Sequence, residues 1–135
     1  MSARESSLDT SVVLRLLVRE PESQFAVADA FLKERLALGD KVFVSDLVLA
    51  ETYFALQAFY RMPKSVALQV LALFAQHSGV VTSEVAASVL KVPNLASAKP
   101  GFVDRLIQGA AHSEGRTLVT FEKAMAKLPG AHVLS

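Results

Sequence analysis

The chain contains no cysteine. That excludes a disulfide framework, a thiol nucleophile and a cysteine-ligated zinc site. Histidine is scarce: His77, His112 and His132 lie far apart and form no H-x-x-x-H pair, which speaks against a histidine-built metal site. If the chain uses a metal, carboxylates must hold it. Glycine and proline are few (6 and 5 of 135 residues) against 52% hydrophobic residues, a balance that excludes a collagen-like or disordered chain. Neither G-x-x-x-x-G-K-[ST] nor G-x-G-x-x-G occurs, so the usual nucleotide-binding loops are missing. The net charge is only +1, too even to announce a nucleic-acid binder by itself, although local patches matter more than the sum. Long apolar runs are also lacking. Residues 12–18 are a short run that carries Arg15, and the charge-free stretch 65–83 is interrupted by Gln69, Gln76, His77, Ser78 and Gly79. The latter reads as a buried helix followed by a strand rather than a membrane span. The opening MSARESSLDTS is polar and unlike a signal peptide, so the expectation is a soluble, cytoplasmic protein with no membrane partner.

What is present is a pattern of alternating strands and helices. A chain of this size buries about two thirds of its unfolded surface, enough for a real core. No repeat or long linker divides it, so one domain over residues 1–135 is the economical reading. The first strand, at residues 4–8, is the weakest, because Arg-Glu-Ser-Ser-Leu looks little like a buried strand. Ser11 is placed to cap a helix over 12–19 that Pro21 stops, and an amphipathic helix over 25–38 ends at Gly39. A strand at 42–44 precedes a helix capped by Asp46 and running to about Tyr60. Pro63 opens the next helix, which ends at Gly79. A strand at 80–82, a helix from Ser83 to about Lys91, a helix at 102–113, a strand at 117–120, a short helix to about Leu128 and an edge strand at 132–134 complete the series. This is an α/β fold with a mostly parallel sheet of about five strands flanked by helices. Such sheets bind ligands at the carboxyl ends of their strands, so the residues just after strands are the ones to inspect.

Four acids occupy or adjoin such positions. Asp9 follows the first strand, where it is either a functional carboxylate or a turn or cap residue. Glu51 is the one charged side chain between Asp46 and Arg61, among Val48, Leu49, Ala50, Phe54 and Ala55. A carboxylate in apolar surroundings is costly unless something such as a metal ion compensates it; the alternative is a narrow solvent-facing stripe with Gln57 and Ala58. Asp104 lies in the first turn of a helix, which its dipole alone would favour, and Glu122 follows the strand TLVT. Asp46 and Glu84 read as caps or first-turn acids. Oxygen-only ligands suit Mg2+ or Mn2+, and carboxylate clusters holding such ions are a recurring means of cutting phosphodiesters.

At these residues the chain resembles the PIN-domain family, and within it the toxin ribonucleases of VapBC-type toxin–antitoxin pairs. LDTSVVLRLL (8–17) is similar to the family's opening motif, VSDLVLAETYFAL (44–56) to its second, and GFVDRLI (101–107) followed by TLVTFEK (117–123) to its third and fourth. The resemblance implies a parallel sheet between helices and a Mg2+- or Mn2+-dependent endoribonuclease site. Asp9, Glu51, Asp104 and Glu122 would be catalytic metal ligands, and the hydroxyls of Thr10, Ser11 and Thr120 would orient ligands or water. It further implies a VapB-type cognate antitoxin, a homodimer, and structured RNA such as tRNA or ribosomal RNA as substrate. The sequence departs from the pattern at Glu122, where Asp is usual, at Gly101, where many members carry another acid, and at Ser11, where Asn is commoner. These departures motivate the competing expectation of a PIN-like RNA- or protein-binding module with a degraded metal site.

Among the remaining residues, Arg15, Arg105 and Lys123 are candidate phosphate contacts, each set against an ordinary solvated face or an ion pair with an acid. Arg19, Arg61, Lys64 and Lys99 are similar. Tyr53, Phe54, Phe59 and Tyr60 make one helix aromatic on more than one side, beyond what a core needs. Phe31 and Met62 read as core, and His112 as a cation comfortable at a helix end.

Overall fold

The computed structural model describes residues 5–135. The chain divides into two compact units, Met1–Ser83 and Glu84–Ser135. All strand pairing is parallel, in a three-stranded ladder within the first unit and a two-stranded ladder within the second. Five strands form and pair in parallel as expected, but the larger ladder has three strands and not the expected five or so.

In the first unit, β1 (Glu5–Ser7), β2 (Lys41–Phe43) and β3 (Val80–Val81) pair in the order β1-β2-β3, with Ser6 opposite Val42 and Val42 opposite Val80. The helices α1 (Thr10–Val18) and α2 (Glu22–Ala37) link β1 to β2, and α3 (Asp46–Ala58) and α4 (Lys64–Ala75) link β2 to β3. Because strand side chains alternate, Leu8, Val42, Val44 and Val80 share one side of the ladder, and all four are buried. Val13 of α1, Leu49 and Leu56 of α3 and Leu71 of α4 are fully buried as well, and α1 packs on both α2 and α3.

The polar first strand forms despite its composition. Its ladder is made by the backbone and continues as Leu8 N–H donates to the Phe43 carbonyl at 2.9 Å. Glu5 and Ser7 are exposed, and buried Leu8 supplies the apolar anchor just after it. At the edge of a ladder a strand needs little more. Arg4, the start of the expected strand, lies outside the described residues.

Two caps differ from the sequence reading. Asp9, not Ser11, caps α1: its Oδ1 accepts from Val12 N–H at 3.2 Å. Ser45, not Asp46, caps α3 by accepting from Val48 N–H, while Asp46 Oδ1 accepts from the Ser83 hydroxyl at 2.6 Å. In each case two neighbouring polar residues can both cap, and the one whose backbone is extended does so. α2 begins at Glu22, three residues before the expected start. Phe31 is not core: it is 40% exposed, with the Arg35 guanidinium over its ring at 5.7 Å.

The second unit contains α5 (Glu84–Val89), α6 (Phe102–Ser113), β4 (Leu118–Thr120) and β5 (Ala131–Val133). Residues 102–113 are helical as expected, and the short helix before the last strand is a 3-10 turn at Lys123–Lys127. Gly109 lets α6 approach α5, because a Cβ there would overlap the Val85 side chain. Phe102 and Leu106 are buried on the same side of α6, and buried Gln108 donates to the Pro129 carbonyl, tying the helix to the turn before β5.

Candidate active site

β1 and β2 end side by side, and the chain leaves both at the same edge of the ladder. Asp9 sits two residues beyond β1 as the cap of α1, and its Oδ1 also accepts from the Ser11 hydroxyl at 2.6 Å. These bonds hold its carboxyl below the usual value of 3.8, the Ser11 hydroxyl more than the Val12 amide. Next to it, the Thr10 hydroxyl donates to Glu51 Oε1 at 2.7 Å. Thr10 therefore joins the first turn of α1 to the middle of α3 and brings two acids from positions 42 residues apart onto one surface. Thr10 and Ser11, the two hydroxyls singled out in the sequence, thus each bond one carboxylate.

Glu51 is exposed, which decides for the solvent-facing stripe over the apolar surroundings, the two alternatives its sequence neighbours left open. It lies on a solvent-facing stripe of α3 with Leu47, Phe54 and Ala58, all exposed, spaced at helical intervals. The buried acid is instead Asp40, whose Oδ2 pairs with Arg35 at 3.3 Å. Among the described residues neither Asp9 nor Glu51 forms an ion pair.

Arg15, one turn beyond Ser11 on α1, has no carboxylate partner among the described residues. Its Nε donates to Gln24, and its Nη1 lies 3.4 Å from the Tyr60 hydroxyl. Sequence reasoning did not find Gln24 and Tyr60 as its supports; they come from α2 and from the turn after α3, and no local spacing links them.

In the second unit, Asp104 is exposed in the first turn of α6. Glu122 is exposed just after β4, with its N–H donating to Thr120 Oγ1 at 2.9 Å, so Thr120 fixes the backbone that presents Glu122. Arg105 Nε donates to the Pro100 carbonyl at 2.7 Å and pairs with no acid among the described residues. Lys123 is exposed. Among the described residues no three Asp, Glu or His side chains converge into a metal-holding group. The acids that the structure visibly brings together are Asp9 and Glu51.

A family model for the PIN domain matches residues 7–131, a span that takes in all four acids. The chain belongs to the PIN domain family. PIN domains are in general nucleases, and the family generally uses a divalent metal. Among solved structures, this PIN domain is similar to the VapBC2 complex of Rickettsia felis bound to a DNA fragment from its promoter. Identity is 21% over 98% of this chain and 100% of that one, with a TM-score of 0.41. No curated protein matches it. No helix among the described residues is long and apolar enough to cross a membrane.

The donor set fits a hard divalent cation. Asp9 accepts its side-chain and amide bonds on Oδ1 and Glu51 its hydroxyl bond on Oε1, which leaves an oxygen of each for a further ligand. Paired, exposed carboxylates with no basic partner among the described residues suit Mg2+ or Mn2+.

Proposed function

We propose that this PIN domain is a Mg2+- or Mn2+-dependent endoribonuclease toxin of a type II toxin–antitoxin pair. The observation that supports this most is the Asp9–Thr10–Glu51 arrangement just after β1, two carboxylates with no basic partner among the described residues, Asp9 held by the Ser11 hydroxyl and Glu51 by the Thr10 hydroxyl. Asp9, Glu51, Asp104 and Glu122 are the proposed metal ligands. An ion held by these residues would supply an activated water and would offset charge on the phosphate oxygens. The chain's own residues do the orienting: Ser11 and the Val12 amide hold Asp9 ionised, Thr10 fixes Glu51, and Thr120 fixes the backbone of Glu122. Arg15, Arg105 and Lys123 are proposed phosphate contacts. One domain over residues 1–135, a cytoplasmic setting, a VapB-type antitoxin, a homodimer and a structured RNA substrate such as tRNA or ribosomal RNA complete this reading through the motif resemblance.

The test is cleavage of structured RNA by the antitoxin-free chain with Mn2+, with EDTA and with Glu51→Gln. Cleavage that needs both the ion and Glu51 supports the reading. Equal behaviour of wild type and Glu51→Gln would favour instead a PIN-like binding module whose metal site has degraded, for which the Glu122 and Gly101 departures speak.

Thr10 gives a sharper measure. Thr10→Val keeps the shape of the side chain and removes the donor to Glu51. Removing such an orienting partner lowers metal affinity or activity by about 10–100-fold. Calorimetric titration with Mn2+ checks this; unchanged affinity would mean that Glu51 needs no orientation from Thr10.

A further inference from the structure

A cleft of about 550 Å3 runs between α1 and α3 from Thr10 and Glu51 to Tyr60. Its floor and walls combine three features that a protein core does not need. Phe54 and Phe59 line it while 55% and 80% exposed. Arg15 lines it without a carboxylate partner among the described residues. One end is formed by the acid-bearing residue Glu51 itself.

Phe54 is one turn beyond Glu51 on α3, so the two side chains are neighbours on one face, about 5–6 Å apart at their Cβ atoms. Its ring does not hang freely: it is braced by buried Tyr53, with centroids 5.4 Å apart and planes tilted by 55°. Arg15 is likewise held in place, by Gln24 and Tyr60, both neutral, so its charge is not spent on a protein anion. A braced ring in water, a positioned guanidinium and the Glu51 carboxylate at the near end match the parts of a nucleotide: base, phosphate and the linkage to its neighbour.

We propose that this cleft holds the nucleotide next to the cut in a single-stranded RNA segment, with the base stacked on Phe54 and its phosphate on Arg15. The proposal rests on the nuclease reading for the words "next to the cut" and on nothing else from it. Stacking on an aromatic ring is tolerant of base identity, so the cleft grips unpaired nucleotides without reading their sequence. A helical protein segment would be served by the aromatic wall but would make no use of a guanidinium that has no carboxylate partner among the described residues.

Fluorescence anisotropy of a labelled single-stranded RNA oligonucleotide with the full chain in EDTA tests this without metal or cleavage. Phe54→Ala is expected to weaken binding about tenfold, and Phe54→Tyr to hold it within about twofold, as loss and retention of one stacked base predict. Arg15→Gln is expected to lower the slope of log affinity against log salt by about 0.7, the value for one phosphate contact on a single strand, and Arg15→Lys to keep it. Leu73→Ala removes an equally exposed apolar side chain from α4, outside the cleft, and is expected to change nothing. Wild type that binds no RNA, or Phe54→Ala and Arg15→Gln that bind as wild type does, overturns the proposal and leaves the cleft to a protein partner. RNA binding that depends on Phe54 and Arg15 in a chain that cuts nothing with Mn2+ sinks the nuclease reading alone; cleavage with binding indifferent to both sinks the subsite alone.

Discussion

Asp9→Asn is expected to abolish Mn2+ binding and to lower RNA cleavage by at least about a hundredfold, in line with the loss of a group that holds charge at the reacting phosphate. The folded chain should scarcely notice. Asp9 caps α1 through an acceptor oxygen, and asparagine keeps an acceptor at the same place and is itself among the best capping residues. Asp9→Ala removes both functions and should cost about 1 kcal/mol in addition, the usual value of a lost cap. Calorimetry with Mn2+, a cleavage assay and thermal melting on the two variants separate chemistry from capping. An Asp9→Asn protein that still binds Mn2+ as tightly as wild type would remove Asp9 from the ligand set.

The same pair of proteins has a pH signature in EDTA. The Asp9 carboxyl is held below its ordinary value, so its ionised form is favoured by folding. The stability this gives is fully present above about pH 4 and disappears as the pH falls through the lowered folded value. Wild type should therefore lead Asp9→Asn slightly near neutrality and lose that lead in acid. Melting curves at both ends of the range check it, and a lead that grows in acid would contradict the Ser11 and Val12 bonds.

Phe102→Ala should be the most damaging single change in the second unit. The ring is 2% exposed at the first position of α6, and removing a buried phenyl group costs about 3–5 kcal/mol. Against a typical domain stability of about 5–15 kcal/mol this is a large share. The loss falls at the turn that carries Asp104, so the helix end and the acid on it lose their anchor together. Urea unfolding measures the effect. Phe121→Ala, at a ring 76% exposed, is the control and should stay within about 0.5 kcal/mol. A Phe102→Ala midpoint no lower than that of the control would show that the ring is not holding α6.

The helices were legible because their signals are local. Gly101 before Phe102 and Gly115 after Ser113 bracket α6, and Pro63 opens α4. The strand β1 was nearly invisible, since Glu5, Ser6 and Ser7 carry no apolar alternation and its stability comes from the Phe43 backbone and from Leu8. Caps misled where two candidates adjoin, at Asp9 and Ser11 and at Ser45 and Asp46, because side-chain type does not say which backbone is extended. For Glu51 the sequence left a buried carboxylate and a solvent-facing stripe both open, and the fold decides for the stripe; α3 is apolar on so much of its circumference that counting neighbours in sequence says little about burial. The link from Thr10 to Glu51 spans 41 residues, and the support of Arg15 by Tyr60 spans 45, so only the fold reveals them.

Asp9, Glu51, Asp104 and Glu122 are all exposed. Surface positions of this kind tolerate replacement with little effect on folding, and at Asp9 asparagine or serine preserves the cap. Over generations, then, foldability gives these four codons no shelter: a lineage can drift to neutral residues at every one of them and still produce a well-formed chain. Whatever keeps them acidic has to be selection on what they do. Inert but intact descendants of this chain are the easiest ones for mutation to reach.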